Sequence, residues 1–362
     1  TAKTIYLQID GPKEQYLTAV SWSPDERYIY VTVLNRDQNH AVMQRYDITG
    51  GHAVKKVLEE KNEKYVEPQH PLYFIDNNPN EFLRWSQQDG YMHLYHYKNE
   101  ELVGQLTKGK WIVNELLGYN KTKNEILFMA SEASPMQKNL YAVNLSTKEV
   151  RRVSTTLATH TCKLSASGNY VLDNYAGQNY PRNIEVLNIV NGNEKRILTA
   201  PNTLTEYQLA KVEDVKLKTS DETELIGKLV YPTNFDASKK YPVIVYLYNG
   251  PHVQLNKDMF PYSGNLWYDY MAQKGYFVFV LDGRGSSNRG FAFESVTFRQ
   301  LGTIELEDQL RGVAYLKSLP FIDANRMGIH GWSFGGFMTT SMMLKHPEVF
   351  VCGVAGGPVM DW

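Results

Sequence analysis

The sequence of 362 residues predicts two domains, part of a β-propeller followed by a doubly wound, mostly parallel α/β sheet. In roughly the first 200 residues, short β-like runs alternate with clusters of turn-forming residues. Within that region a turn-and-strand unit recurs at an interval of roughly 45–50 residues, which is the range of propeller blades. After about residue 205 the pattern changes to alternating strands and helices. The length also exceeds what one ordinary hydrophobic core supports.

The first region, residues 1–205, is predicted to hold the C-terminal blades of the propeller. Tyr28–Val33 and Glu125–Met129 are typical of its strands, which are rich in β-branched and aromatic residues. About four repeats can be recognised, and they start near Ser23, Ile75, Asn120 and Ser165. A closed propeller usually has more blades, so we expect further blades before Thr1. An open β-sandwich is the alternative that the strand pattern leaves open.

The second region, residues 206–362, is predicted to be an incomplete α/β domain. Thr303–Leu319 has apolar residues at helical spacing, and Pro320 ends that helix. Gly335–Lys345 is predicted to be a second helix. Continuous apolar runs mark strands that are buried on both faces. The predicted strands are Glu224–Tyr231, Pro242–Tyr248, Tyr276–Leu281, Arg326–His330 and Val349–Ala355.

Composition excludes several classes of function. The 38 basic and 39 acidic side chains give a net charge of -1, which offers no electrostatic case for a nucleic-acid partner. No apolar run approaches the ~18 residues of a membrane span. The sequence shows no metal-ligand cluster, phosphate loop or dinucleotide motif, so no cofactor is inferred. Cys162 and Cys352 lie in different predicted domains and are not expected to form a disulfide.

The pattern Gly331-Trp332-Ser333-Phe334-Gly335 follows a predicted strand and opens a predicted helix. That context is typical of the nucleophile elbow of α/β-hydrolases, where a sharp turn exposes the serine above the sheet. The backbone N–H of Phe334 would then point to the place where an oxyanion develops. A buried serine in a tight turn is the alternative interpretation.

A serine nucleophile needs a histidine base and a carboxylate that orients it. In α/β-hydrolases these follow the serine along the chain, yet His346 is the last histidine in the sequence. His346 lies about three helical turns from Ser333, and His330 directly precedes the elbow on its strand. We therefore expect the acid and the base of the triad to lie beyond Trp362.

Several motifs together resemble the dipeptidyl peptidase IV group of the prolyl oligopeptidase family. Gly331–Phe337 is similar to its Gly-Trp-Ser-Tyr-Gly-Gly-Tyr elbow, with Phe334 in place of the first tyrosine. Tyr248–Pro251 resembles its Tyr-x-Gly-Pro turn, and Asp282–Ser286 matches its Asp-Gly-Arg-Gly-Ser segment. Leu301–Gln309 is similar to its Leu-Gly-Thr-x-Glu-x-Glu-Asp-Gln helix. The sequence resembles in particular the bacterial dipeptidyl and prolyl tripeptidyl peptidases, which also have phenylalanine at the end of the elbow.

The resemblance implies a role for each matching residue. Ser333 would be the nucleophile, and the Tyr248 hydroxyl and the Phe334 N–H would form the oxyanion hole. Phe334, Val359 and Trp362 would line an apolar pocket for proline. A tyrosine in the core at a strand end is the alternative for Tyr248. Three charged residues in the matching segments, Asp282, Arg284 and Asp308, are expected to hold loops together.

Exopeptidases of this family bind the free amine of the substrate with a pair of glutamates from the propeller. Their motif is not found in this sequence. Two adjacent acidic pairs, Glu59-Glu60 and Glu100-Glu101, lie in polar turns with lysine or asparagine neighbours. We interpret both pairs as solvated charges, so dipeptidyl and tripeptidyl specificity are not distinguished.

The resemblance thus implies a serine exopeptidase that cleaves dipeptides or tripeptides after proline, with peptides as substrates. Another hydrolase on the same fold, such as an acylaminoacyl peptidase or an esterase, is one alternative. A binding propeller with a degenerate hydrolase domain is the other. By analogy with relatives we expect export to the bacterial periplasm or cell envelope, and a homodimer is possible for the full-length protein.

The chain as it stands is expected to be catalytically inactive, because it lacks two of the three triad members. We expect no hydrolysis of an activated ester by the purified 362-residue chain above that of its Ser333→Ala variant. Turnover that depends on Ser333 would contradict this expectation.

Overall fold

The computed structural model describes residues 4–262 and 264–361. Within residues 4–200, four antiparallel sheets follow one another, and each consists of four strands that are consecutive in the chain. A short 3-10 turn, Ile75–Asn77, lies inside the second sheet's segment. The first two sheets are β1 (Tyr16–Trp22), β2 (Tyr28–Leu34), β3 (His40–Asp47), β4 (Ala53–Lys61), then β5 (Tyr73–Phe74), β6 (Glu81–Ser86), β7 (His93–Lys98), β8 (Glu101–Gln105). The next two are β9 (Val113–Asn120), β10 (Glu125–Ala130), β11 (Asn139–Asn144), β12 (Val150–Arg152), then β13 (Thr159–Leu164), β14 (Tyr170–Gly177), β15 (Tyr180–Asn188), β16 (Glu194–Thr199).

The four sheets are stacked face to face in series, and strand β10 shows how. All six of its residues are buried. Ile126 and Phe128 pack with residues of the second sheet, whereas Leu127 and Met129 pack with residues of the fourth. Side chains alternate between the two faces of a strand, so one sheet contributes to two separate cores.

This serial stacking confirms the prediction of propeller blades. A two-layer sandwich would enclose a single core between its sheets. Here three apolar clusters lie between successive blades, and the one between the first two contains Tyr30, Phe82 and Tyr97. The repeat seen in the sequence corresponds to blades that bury their faces against their neighbours.

The second half forms a six-stranded mixed sheet in the order β17-β18-β20-β19-β21-β22. Its first two strands pair antiparallel with their neighbours, and the remaining pairs are parallel. The prediction of a mostly parallel α/β sheet is therefore confirmed. The strands are β17 (Val212–Lys218), β18 (Glu224–Val230), β19 (Tyr241–Tyr246), β20 (Phe277–Asp282), β21 (Ile322–Trp332) and β22 (Cys352–Gly356).

Four helices accompany this sheet in the described part of the chain, and none of them is long and apolar enough to cross a bilayer. They are α1 (Leu266–Gln273), α2 (Phe291–Glu294), α3 (Ile304–Ser318) and α4 (Phe334–Lys345). The sequence predicted α3 and α4 but neither α1 nor α2. Both of the missed helices are short, and α1 is rich in aromatic residues. Asn265 begins α1 by accepting a hydrogen bond from the N–H of Trp267.

The turn from β21 into α4 depends on glycine. A Cβ atom built at Gly331 would lie 2.4 Å from the Gly335 carbonyl oxygen and 2.6 Å from that of Leu247. A Cβ at Gly335 would lie 2.4 Å from the same Leu247 oxygen. Helix α4 therefore packs backbone to backbone against the residue that follows β19, and only glycine permits this approach.

We expect Gly331→Ala to destabilise the chain by about 1–3 kcal/mol, because the clash is with backbone atoms that cannot rotate away. Gly328→Ala is the matched control on the same strand, since its Cβ would meet only the Cys352 Sγ at 3.2 Å and the Cys352 carbonyl at 3.7 Å. Urea unfolding followed by tryptophan fluorescence measures both. Equal unfolding midpoints for the two variants would contradict the backbone contact.

Candidate active site

Ser333 occupies the turn between β21 and α4 in a strained conformation, with φ 56° and ψ -116°. Positive φ is uncommon for residues other than glycine and is typical of functional turns. The Ser333 N–H donates to the Gly356 carbonyl at 2.8 Å, and its own carbonyl accepts from the Phe337 N–H at 3.0 Å. The backbone is thus held from the neighbouring strand and from the helix, which fixes the position of the hydroxyl.

Tyr248 lies two residues beyond the end of β19, the strand that pairs in parallel with β21. The N–H of the intervening Leu247 still donates to the His330 carbonyl at 3.0 Å. Because neighbouring parallel strands end at the same edge of a sheet, Tyr248 and Ser333 lie together at the edge where ligands bind in α/β folds. The Tyr248 ring centroid is 6.2 Å from that of Phe334.

The residues predicted to line a pocket have different surroundings. Phe334 is the first residue of α4, so its N–H lies at the positive end of the helix dipole, while its side chain is only 4% exposed and packs on Phe337. Val359 follows β22 and is 44% exposed. Trp362 lies outside the described residues. Trp332, which the sequence analysis did not assign, is 65% exposed and covers Gly356.

The two histidines that are nearest to Ser333 in the sequence, His330 and His346, have other partners. The Nδ1 of His330 donates to the Val354 carbonyl at 2.9 Å, and its ring packs against Trp267. His346 caps the far end of α4 and lies 3.5 Å from Glu348. Among residues 4–262 and 264–361, no histidine hydrogen bonds to the Ser333 hydroxyl.

Residues of the α/β domain hold the turn that carries Tyr248. Asn249 has a φ of 58° and is buried, and its side-chain oxygen accepts from Gln309 Nε2 at 2.7 Å. The same Gln309 nitrogen donates to the Leu281 carbonyl at 2.9 Å. A side chain at Gly283 would contact the Asn249 amide at 2.6 Å. These contacts explain why glutamine occurs at position 309 and glycine at position 283, in two of the motifs that resemble the family.

The three charges predicted to hold loops do so. Asp282 is buried and accepts hydrogen bonds from the N–H groups of Leu255 and Asn256, while burial raises the pKa of Asp282. Arg284 pairs with the fully buried Asp308, with Nη2 at 2.7 Å from Oδ1. The expected structural role of these charges is confirmed.

A cluster of titratable groups that the sequence did not predict lies beside this turn, between the two domains. His252 has a φ of 62°, and its Nε2 lies 2.9 Å from Oε1 of Glu67, a propeller residue. The hydrogen bond to Glu67 raises the pKa of His252, and burial raises the pKa of the nearby Glu294 to about 7. Because the three residues are far apart in the chain, no local pattern could have revealed the cluster.

The interpretation of the acidic pairs as solvated charges was wrong for two of the four residues. Glu60 accepts hydrogen bonds from the buried Arg84 and from Ser86. The Glu100 side chain is 8% exposed and binds Arg45, Lys55 and the Tyr30 hydroxyl. Burial is tolerated because each carboxylate has cationic partners from a neighbouring strand or blade.

Two family models match the chain. One describes the N-terminal region of dipeptidyl peptidase IV and matches residues 1–182. The other describes the prolyl oligopeptidase family and matches residues 264–362. The two matches fall on the propeller blades and on the α/β sheet.

Relatives and solved structures agree with these matches. Mouse prolyl endopeptidase FAP is 30% identical over 96% of this chain and 48% of its own length. Human dipeptidyl peptidase 8 is 30% identical over 71% of this chain and 30% of its own length. A putative dipeptidyl aminopeptidase IV from Bacteroides ovatus superposes with a TM-score of 0.95 at 42% identity, covering 99% of this chain and 54% of that one. Porphyromonas gingivalis dipeptidyl peptidase 4 gives 0.90 at 29% identity, covering 99% and 51%.

The chain therefore spans about half the length of the relatives that match nearly all of it. Its first domain consists of propeller blades, and its second contains the nucleophile elbow and the Tyr-x-Gly-Pro turn on one edge of the sheet. The chain belongs to the dipeptidyl peptidase IV group of the prolyl oligopeptidase family of serine peptidases.

Proposed function

We propose that the full-length protein is a serine exopeptidase that removes dipeptides or tripeptides ending in proline from the N-terminus of peptides. The observation that carries the proposal is the position of Ser333, in a strained strand-to-helix turn beside Tyr248, in a member of this peptidase family. Both residues follow parallel strands that are neighbours in the sheet, so they can act on one substrate carbonyl.

The proposed reaction uses Ser333 Oγ as the nucleophile. It attacks the carbonyl carbon of the proline residue while its proton passes to a histidine base, and the carbonyl oxygen becomes an oxyanion. The Tyr248 hydroxyl and the Phe334 N–H donate to that oxygen. The amine leaves with the proton, and water then hydrolyses the acyl-enzyme. Tyrosine suits this role because its hydroxyl ordinarily keeps its proton well above pH 7.

Proline would bind in the apolar surroundings of the elbow. Phe334 is proposed to form the back of this pocket, where its largely buried ring packs against Tyr248 and Phe337. Phenylalanine at this position also lacks the hydroxyl that the family motif has, which makes the pocket less polar. Val359 and Trp362 are proposed as further pocket residues.

The proposal requires a histidine and a carboxylate from the remainder of the full-length protein, because His330 and His346, the histidines nearest to Ser333 in the sequence, have other partners. The propeller would limit access to the site, as expected for a peptidase that acts on chain ends. Export to the cell envelope and the homodimer remain predictions for the full-length protein.

Removing the Tyr248 hydroxyl tests the proposed oxyanion hole. We expect Tyr248→Phe in the full-length protein to lower kcat about 10²–10³-fold with little change in KM, because the lost hydrogen bond forms mainly in the transition state. Tyr246→Phe is the matched control, since that tyrosine ends the strand that leads to Tyr248 and packs on Tyr268 and His330. Equal kcat values for the two variants would remove Tyr248 from the mechanism.

A substrate panel tests the function as a whole. The full-length protein is assayed with p-nitroanilides of Ala-Pro, Ala-Ala-Pro and N-acetyl-alanine, and each rate is compared with that of Ser333→Ala. We expect Ser333-dependent release only from a free-amine substrate that ends in proline. Hydrolysis of the acetylated substrate instead would indicate an acylaminoacyl peptidase. If a fluorophosphonate probe also failed to label Ser333 in the folded protein, a binding function would replace the proposal.

A further inference from the structure

Three potential metal ligands converge where the propeller meets the α/β domain. Glu67 lies in the connection between β4 and β5, His252 follows the Tyr248 turn, and Glu294 ends α2. One ligand atom from each of the three side chains lies within 4.8 Å of the other two. The three residues also line a cavity of about 330 Å³ between the two domains.

Contacts on both sides hold the three elements in place. The Tyr65 ring packs on Phe291 and Phe298, with centroid distances of 5.0 and 5.8 Å. Lys64 Nζ donates to the carbonyl and the hydroxyl of Ser295, at 2.9 and 3.1 Å. The segment that carries Glu67 is thus fixed against the residues that flank Glu294, so these two ligands are held near each other before any ion binds.

Carboxylates outnumber the lysine and arginine side chains that line the cavity. Glu294 is 7% exposed, and within the described chain no lysine or arginine nitrogen lies within 4.0 Å of its carboxylate. Asp37 adds a further carboxylate to the cavity wall. Arg299 also lines the cavity, with its guanidinium carbon 5.1 Å from the centroid of the Phe298 ring. Burying a carboxylate is costly without a compensating cation. Around Glu294, His252 is the stabilising neighbour that can carry charge, and the Gln87 side chain and the Asn288 backbone contribute hydrogen bonds.

We propose that Glu67, His252 and Glu294 bind a divalent first-row transition metal ion, with Zn²⁺ as the best match. An imidazole nitrogen with two carboxylate oxygens suits Zn²⁺, whereas Mg²⁺ and Ca²⁺ prefer oxygen ligands alone. Ligand atoms of a tetrahedral zinc site lie roughly 3.4 Å apart. The His252–Glu67 pair, now 2.9 Å apart, must therefore open slightly, while the Glu294 carboxylate, within 4.8 Å of both, moves closer. The fourth position would face the cavity.

The ion would connect the propeller to the turn that carries Tyr248, since His252 is four residues from that tyrosine. It would be a structural tie between domains and takes no part in the proposed acyl transfer. The inference therefore stands or falls independently of the peptidase function.

The test measures zinc binding by the full-length protein after treatment with a chelator. We expect one Zn²⁺ to bind with micromolar or tighter affinity, and a zinc concentration about a hundredfold above Kd to raise Tm by roughly 5 °C. Co²⁺ bound in its place should give the visible absorption of a four- or five-coordinate site. Each of Glu67→Gln, His252→Asn and Glu294→Gln should weaken binding at least tenfold.

His346→Asn is the matched control, because His346 and Glu348 form a histidine–glutamate pair elsewhere, at 3.5 Å. This variant should bind zinc as the unchanged protein does. Circular dichroism of each metal-free variant shows whether that variant folds. If a variant does not fold, the Co²⁺ spectrum of the unchanged protein decides whether the three residues bind a metal ion. Three results would each overturn the proposal: no saturable zinc binding, a preference for Mg²⁺ or Ca²⁺, or full zinc binding in the three folded variants. The contact between Glu67 and His252 would then be an ion pair only.

Discussion

The geometry of the candidate active site depends on one close backbone contact at Leu247. Its N–H pairs with the His330 carbonyl of β21, and its carbonyl oxygen lies against Gly331 and Gly335. Strand β19, strand β21 and helix α4 therefore meet at a single residue. A side chain at either glycine would push the helix away from the strand. Ser333 and Tyr248 would then separate, because one is fixed to the helix and the other to the strand.

The Tyr248 turn is supported from both domains, and its backbone shows why support is needed. Asn249 and His252 both adopt positive φ, which costs roughly 1–2 kcal/mol per residue outside glycine. Gln309 holds the first of these residues from the α/β core, and Glu67 holds the second from the propeller. The strained turn is thus stabilised by one contact within its own domain and one across the domain interface.

Local features of the sequence predicted most of the fold and the position of the nucleophile. Helix α3 was predicted because its apolar spacing and Pro320 are both local, and the elbow because its glycines lie within two residues of Ser333. The charge partners could not be predicted in this way. Glu60 and Glu100 have the composition of exposed turns, and only the packing of one blade on the next brings Arg84, Arg45 and Tyr30 to them.

These buried charges link the blades to the site. Glu60 of the first blade pairs with Arg84 of the second, while Glu100 of the second pairs with Arg45 of the first. Both pairs are mostly shielded from water, so a shift of one sheet against the other that separated them would leave buried charges unpaired, which is costly. Glu67 lies in the connection between these two blades, and its carboxylate contacts His252. The position of the Tyr248 turn therefore depends on how the first two blades pack, which extends the determinants of the site well beyond the α/β sheet.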